Sequence, residues 1–265
     1  VHSHKNGDVV AIAVADGHGT SARGEVGAKF AVHVAVDQLL QFPDKLRSDK
    51  SANIKDVHAC AEEMRAPLVR EWSERVRRDA GTESPDLQLY GSTLLFALAT
   101  PGYLIVGQIG DGDVLLVDSA GRVERPIDPD PSNFADETAS LCQSKAWEAI
   151  RLSTRHPPGP ETLLLLSTDG YSKSYATDAD YEKIGPDYLD LFRKHGAEGV
   201  QSLLPGFLKE VSSKGSGDDI ALGMLYWPAS AGPVAGAKPT ADVSGSDKAG
   251  DAGSPSPAGD RPGGE

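Results

Sequence analysis

Four short apolar runs, each abutting an aspartate, limit what this chain can become more than any other feature. Residues 9–15 run into Asp16-Gly17-His18-Gly19, and residues 104–109 into Gly110-Asp111-Gly112-Asp113. Residues 163–166 run into Ser167-Thr168-Asp169-Gly170, and Asp218-Asp219 opens into Ile220-Ala221-Leu222. Apolar runs of this length bounded by Gly read as buried strands. Buried strands lie side by side, so carboxylates at their ends can converge on one point. Converging carboxylates repel unless a cation sits among them. An oxygen-only donor set, without Cys or His, suits a hard divalent ion such as magnesium or manganese better than zinc. The pattern points to a metal site and to chemistry at it.

A chain of 265 residues can bury a sizeable core without staples. Only Cys60 and Cys142 are present, which fits a reducing compartment and no disulfide framework. Nothing basic flanks either closely enough to favour a thiolate nucleophile. The net charge of -13 argues against nucleic acid as a partner, because a phosphate backbone demands a basic surface. No segment approaches the roughly 20 apolar residues of a membrane span, and the first apolar run lacks a charged leader and a cleavage site. A soluble, cytoplasmic, monomeric protein without a membrane partner is expected.

From Pro228 the composition collapses into Ala, Gly, Pro, Ser and Asp, too polar and small to offset the entropy of ordering. Residues 228–265 are expected to be a disordered tail behind one domain, 1–227. Within that domain, Thr20 or Ser21 is expected to cap a helix carrying Val26, Phe30, Val34 and Leu39 on one face and ending near Phe42. A second helix is expected from Ile54 to Arg78, with Val57, Ala61, Met64, Leu68 and Trp72 on one face; Arg75, Arg77 and Arg78 read as its solvated side. Residues 89–99 and 103–109 read as a hairpin across Thr100-Pro101-Gly102, with 114–117 continuing the meander toward Val123. Pro126 to Leu141 reads as a flap. Residues 147–153 and 162–166 read as a further strand pair. Helices are expected at 185–194 and 197–213, with Pro205 kinking or restarting the latter, and a last strand at 220–227. Strands grouped in hairpins with helices before and after suggest α+β layers rather than a doubly wound sheet. His2 and His4 read as a flexible terminus rather than a zinc site.

Asp-Gly taken alone is a turn signal, and His18 taken alone is a turn histidine. Their order is more specific. Val14-Ala15-Asp16-Gly17-His18-Gly19, Gly91-Ser92-Thr93, Ile109-Gly110-Asp111, Ser167-Thr168-Asp169-Gly170 and Gly217-Asp218-Asp219-Ile220 together resemble the metal-dependent serine/threonine protein phosphatases of type 2C, in their bacterial form. The resemblance implies an αββα sandwich of two antiparallel sheets flanked by helices. It also implies two manganese or magnesium ions at one end, and hydrolysis of phosphoserine or phosphothreonine in a protein by a metal-activated water.

By the same resemblance Asp16 is the carboxylate shared by both ions, Gly17 lends its backbone carbonyl to one of them, and Asp169 and Asp218 are further ligands. Asp219 stands where the family commonly has Asn, so the choice between Asp218 and Asp219 stays open. Asp111 matches the aspartate of a Gly-Asp-Ser-Arg motif that helps hold a third ion, with Gly112-Asp113 in place of Ser-Arg. His18 resembles the histidine that protonates the departing oxygen, a role that suits imidazole near neutral pH. The family's opening strand, with an arginine that grips the substrate phosphate and an acidic step supporting the second ion, has no counterpart before Asp16. That strand is expected to be missing. The alternative reading is a pseudophosphatase that binds phosphoproteins or a partner without catalysis. A metal-dependent nuclease or phosphodiesterase fits the acidic chain less well.

Overall fold

Strands that are apolar on both faces need cover on both sides. The computed structural model describes residues 1–42, 46, 53–127, 138–229 and 234–236, and in it two antiparallel five-stranded sheets cover one another. The strands are β1 (His2–Asn6), β2 (Val9–Val14), β3 (Leu94–Ala99), β4 (Leu104–Ile109), β5 (Asp113–Val117), β6 (Val123–Glu124), β7 (Arg151–Arg155), β8 (Thr162–Ser167), β9 (Leu222–Trp227) and β10 (Val234–Gly236). One sheet has the order β1-β2-β3-β4-β7 and the other β10-β9-β8-β5-β6. The helices are α1 (Gly24–Leu40), α2 (Ile54–Ala80), the short α3 (Ala146–Ala149), α4 (Asp169–Ser172) and α5 (Asp178–Glu182), and α6 (Ile184–Lys214).

The period of two in each strand sorts its side chains between layers. Val10, Ile12, Val14, Leu95 and Ala97 of the first sheet pack with Val114, Leu164, Leu166 and Leu225 of the second. The alternate residues Ala11, Ala13, Leu94, Phe96 and Leu98 pack against α1 and α2. On the other side, Leu115, Leu163, Leu165 and Met224 pack against Tyr188, Leu189, Phe192 and Leu204 of α6. The result is the expected α+β architecture, helix on sheet on sheet on helix. The expected face of α2 is the buried one, extended by Val69 and Val76. Trp72 anchors it, fully buried, with its indole N–H donating to the Gly27 carbonyl of α1 at 3.0 Å. Arg75, Arg77 and Arg78 pair with Asp37, Glu74 and Glu71.

Several local expectations are corrected. Neither Thr20 nor Ser21 caps α1: Arg23 holds the cap position without a side-chain bond, and the Ser21 hydroxyl donates to the Gln88 carbonyl at 2.6 Å. The helix begins instead where Gly24 rests on the backbone of Gly17, a contact so close that a Cβ on Gly24 would lie 3.1 Å from Gly17. Residues 87–90 form a 3-10 turn, and β3 starts only at Leu94. Tyr90 is buried in the layer under the helices, not in the sheet.

Two further corrections share one cause. The segment 113–117 does not continue the meander, because Gly110-Asp111-Gly112 carries the chain into the second sheet, where Asp113 pairs with Ser167. Residues 147–153 and 162–166 are not partners either: β7 adds to β4 in the first sheet, while β8 lies between β5 and β9 in the second. Residues 146–149 are helical instead. Periodicity identifies a strand but not the sheet that receives it.

The long C-terminal helix breaks at Gly196, whose φ of 65° is left-handed, and runs on through Pro205. His2 and His4 lie on β1, paired with β2, and the His2 ring stacks on His33 of α1 at 4.3 Å. Within the expected tail, Val234–Gly236 pairs antiparallel with β9; residues 230–233 and 237–265 lie outside the described residues, as do 128–137 of the expected flap. Among the described residues no helix is long and apolar enough to cross a membrane.

Candidate metal centre

Asp16 lies two residues past the end of β2, with its backbone tied to Thr93, just before β3. Its N–H donates to the Thr93 hydroxyl at 3.1 Å, and its carbonyl accepts the Thr93 N–H at 2.9 Å. Gly17 then bridges to Ser92. A Cβ on Gly17 would lie 2.3 Å from the Gly24 carbonyl carbon, so the close approach of the turn to α1 requires glycine. His18 donates its backbone N–H to the Gly91 carbonyl at 3.0 Å. Its ring lies against Gly91, where a Cβ would come within 2.8 Å of the His18 Cδ2 and 3.2 Å of the Cys142 sulfur. Cys60 and Cys142 are both unpaired and half-buried.

Asp169 is the first residue of α4, one residue, Thr168, beyond the end of β8. The Thr168 amide donates to the Ala221 carbonyl at 3.0 Å, and the Ala221 amide returns a bond to the Thr168 hydroxyl at 2.9 Å. That pair of bonds brings the loop before β9 against the start of α4. A Cβ on Gly170 would lie 2.5 Å from the Asp219 carbonyl oxygen and 3.3 Å from the Asp218 Cβ. The hydroxyl of Ser216 donates to the Gly170 carbonyl at 2.8 Å and accepts the Asp218 amide at 3.2 Å, which fixes the approach of Asp218. One Asp218 oxygen accepts the Asp219 amide at 2.9 Å. Asp111 sits in the crossing from β4 to β5 and accepts the Thr138 hydroxyl at 3.1 Å.

Four aspartates from four separated loops therefore share one region, and Asp16 registers them. Its carboxyl is pushed up to about 7, first by burial and then by the negative fields of Asp169, Asp218 and Asp111, against a lowering bond from the Gly17 amide. Burial and the charge of Asp169 likewise raise Asp111. This is the behaviour of buried carboxylates whose mutual repulsion is only partly offset, and an all-oxygen set of this kind fits a hard divalent cation. The carboxylates do not form a closed cage: among the described residues no group of three or more His, Cys, Asp or Glu side chains is arranged to hold a metal ion as it stands. Three of the four are held by a local partner instead, Asp111 by Thr138, Asp218 by the Asp219 amide, and Asp169 by the ammonium of Lys173.

Within the Gly91-Ser92-Thr93 motif, Thr93 holds the Asp16 turn and Gly91 seats the His18 ring, roles that the sequence does not state. Lys173 was visible only as a residue four positions after Asp169, and its place depends on α4 starting there.

A family model described as Protein phosphatase 2C matches residues 1–209. Serine/threonine-protein phosphatase 3 of Escherichia coli (strain K12) is 25% identical over 226 residues, covering 83% of this chain and 84% of that protein. The serine/threonine phosphatase of S. agalactiae shares the fold with a TM-score of 0.52 at 15% identity, covering 85% of this chain and 91% of that one. The catalytic domain of the phosphatase PstP, solved with two manganese ions, does so with a TM-score of 0.50 at 16% identity, covering 84% of this chain and 88% of that one.

Proposed function

We propose, since this chain belongs to the protein phosphatase 2C family, that it is a metal-dependent phosphatase acting on phosphoserine and phosphothreonine in proteins. The observation that carries this reading is the Asp16 carboxyl, half-buried and raised by the charges of Asp169, Asp218 and Asp111. Two manganese or magnesium ions would be held by Asp16, the Gly17 carbonyl, Asp169 and Asp218, with Asp111 available to a third. The two manganese ions of the PstP structure support that count. When bound, such ions supply an acidified water as nucleophile and neutralise charge on the phosphoryl group.

The chain's own residues do the remainder. Thr93 fixes the backbone of Asp16 through both its amide and its hydroxyl, which anchors the turn that carries the carboxyl. Thr168 and Ser216 hold Asp169 and Asp218 to one another's loops. His18, two residues beyond Asp16 and seated on Gly91, gives a proton to the departing seryl or threonyl oxygen.

The test is release of phosphate from a phosphoserine peptide with and without manganese, for the native chain and for Asp16→Asn. Activity that appears with manganese and is lost in Asp16→Asn supports the enzyme. A second reading, a phosphoprotein binder without catalysis, draws on the carboxylates not being closed into a cage and on Asp219 and Gly112-Asp113 departing from the family pattern. Two inert proteins that still capture the peptide would favour it.

A further inference from the structure

The site reading leaves Lys173 without a role. It follows Asp169 by four positions, so one turn of α4 brings its ammonium back over that carboxylate, and the two form an ion pair. The Asp169 side chain is 12% exposed and that of Lys173 60%, so the ammonium reaches into the site from solvent. Lys173 also lies in the fields of Asp111 and Asp218. A covalently tethered cation therefore stands among the carboxylates assigned above to divalent ions. Like charges at such range repel appreciably even at the effective dielectric of a protein surface. The Asp169 oxygen that accepts the ammonium is not free for a metal while the pair persists.

We propose that Lys173 is a tethered competitor of the divalent cation. It offsets part of the charge of the carboxylate cluster in the metal-free protein and must release the Asp169 oxygen it holds before that oxygen can bind metal. Lys173 thereby sets the metal concentration at which the site fills. The inference rests on the metal-site reading above and concerns its occupancy, not the chemistry.

The test is calorimetric titration of manganese into the native chain, Lys173→Met and Lys173→Arg, with thermal unfolding of each in chelator. Lys173→Met is expected to bind manganese roughly five- to tenfold more tightly, and Lys173→Arg within about twofold of the native chain. The metal-free Lys173→Met protein is expected to unfold at a lower temperature than the native one, because the cluster has lost its counter-charge. Equal or weaker manganese binding by Lys173→Met, with the native chain binding normally, overturns the competitor and leaves the metal site standing. No uptake by any of the three proteins overturns both.

Discussion

Gly170 lies against Asp219 so closely that a methyl group on its Cα would sit 2.5 Å from the Asp219 carbonyl oxygen. This contact is how the end of β8 and the loop before β9 deliver Asp169 and Asp218 to the same place. Gly170→Ala therefore places a carbon on backbone that cannot swing aside. The expected cost is about 1–3 kcal/mol of stability, with manganese binding weakened beyond what the stability loss explains. Thermal unfolding with chelator and with manganese checks both parts: the metal-induced rise in midpoint shrinks in the variant.

The raised Asp16 carboxyl fixes a pH dependence. A carboxyl near 3.8 in the unfolded chain and about 7 in the folded one makes the folded state hold more protons across that window. Stability of the metal-free protein therefore falls as pH rises from about 4 to about 7. Metal binding must expel that proton, so manganese affinity rises over the same window. Unfolding in chelator at about pH 5 and about pH 7.5 should show the native chain losing stability relative to Asp16→Asn at the higher value. A difference between the two proteins that does not change with pH would contradict the assignment.

Asp169→Asn keeps the shape of the side chain and removes its charge. Phosphatase activity is expected to drop chiefly through weaker metal occupancy, so a large excess of manganese should recover part of it. Rates measured against manganese concentration decide the matter: a shifted midpoint is expected, and a lowered plateau with an unmoved midpoint would contradict it.

His18→Ala separates acid catalysis from architecture. A seryl leaving group needs a proton and p-nitrophenolate scarcely does. The variant should lose roughly 10²–10⁴-fold on a phosphoserine peptide and far less on p-nitrophenyl phosphate. Equal losses on the two substrates would mean that the residue serves the turn at Gly91 rather than proton transfer.

The layers of the fold were legible because the strands announce themselves: residues 9–14 and 163–166 are apolar at every position, which only a strand covered on both faces requires. Which sheet received each strand was not legible. Gly110-Asp111-Gly112 reads as a hairpin turn, yet its left-handed Gly110, with φ of 99°, starts a crossing between sheets. The break in the last helix was legible as the gap between helices at 185–194 and 197–213, and it falls there, at the left-handed Gly196; the kink expected at Pro205 does not appear, because the helix runs on through it. At the site, the aspartates were visible as strand-end carboxylates. What supports them was not, because the bonds made by Thr93, Thr168 and Ser216 span 77, 53 and 46 residues of sequence, and no local pattern names such a partner.

Diffraction from manganese-soaked crystals at the metal's absorption edge tests the proposed metal centre itself. Anomalous peaks are expected within coordination distance of the Asp16, Asp169 and Asp218 carboxylates, with the Lys173 ammonium moved off Asp169. Crystals that take up no manganese there, or that place it away from Asp16, would contradict that metal centre.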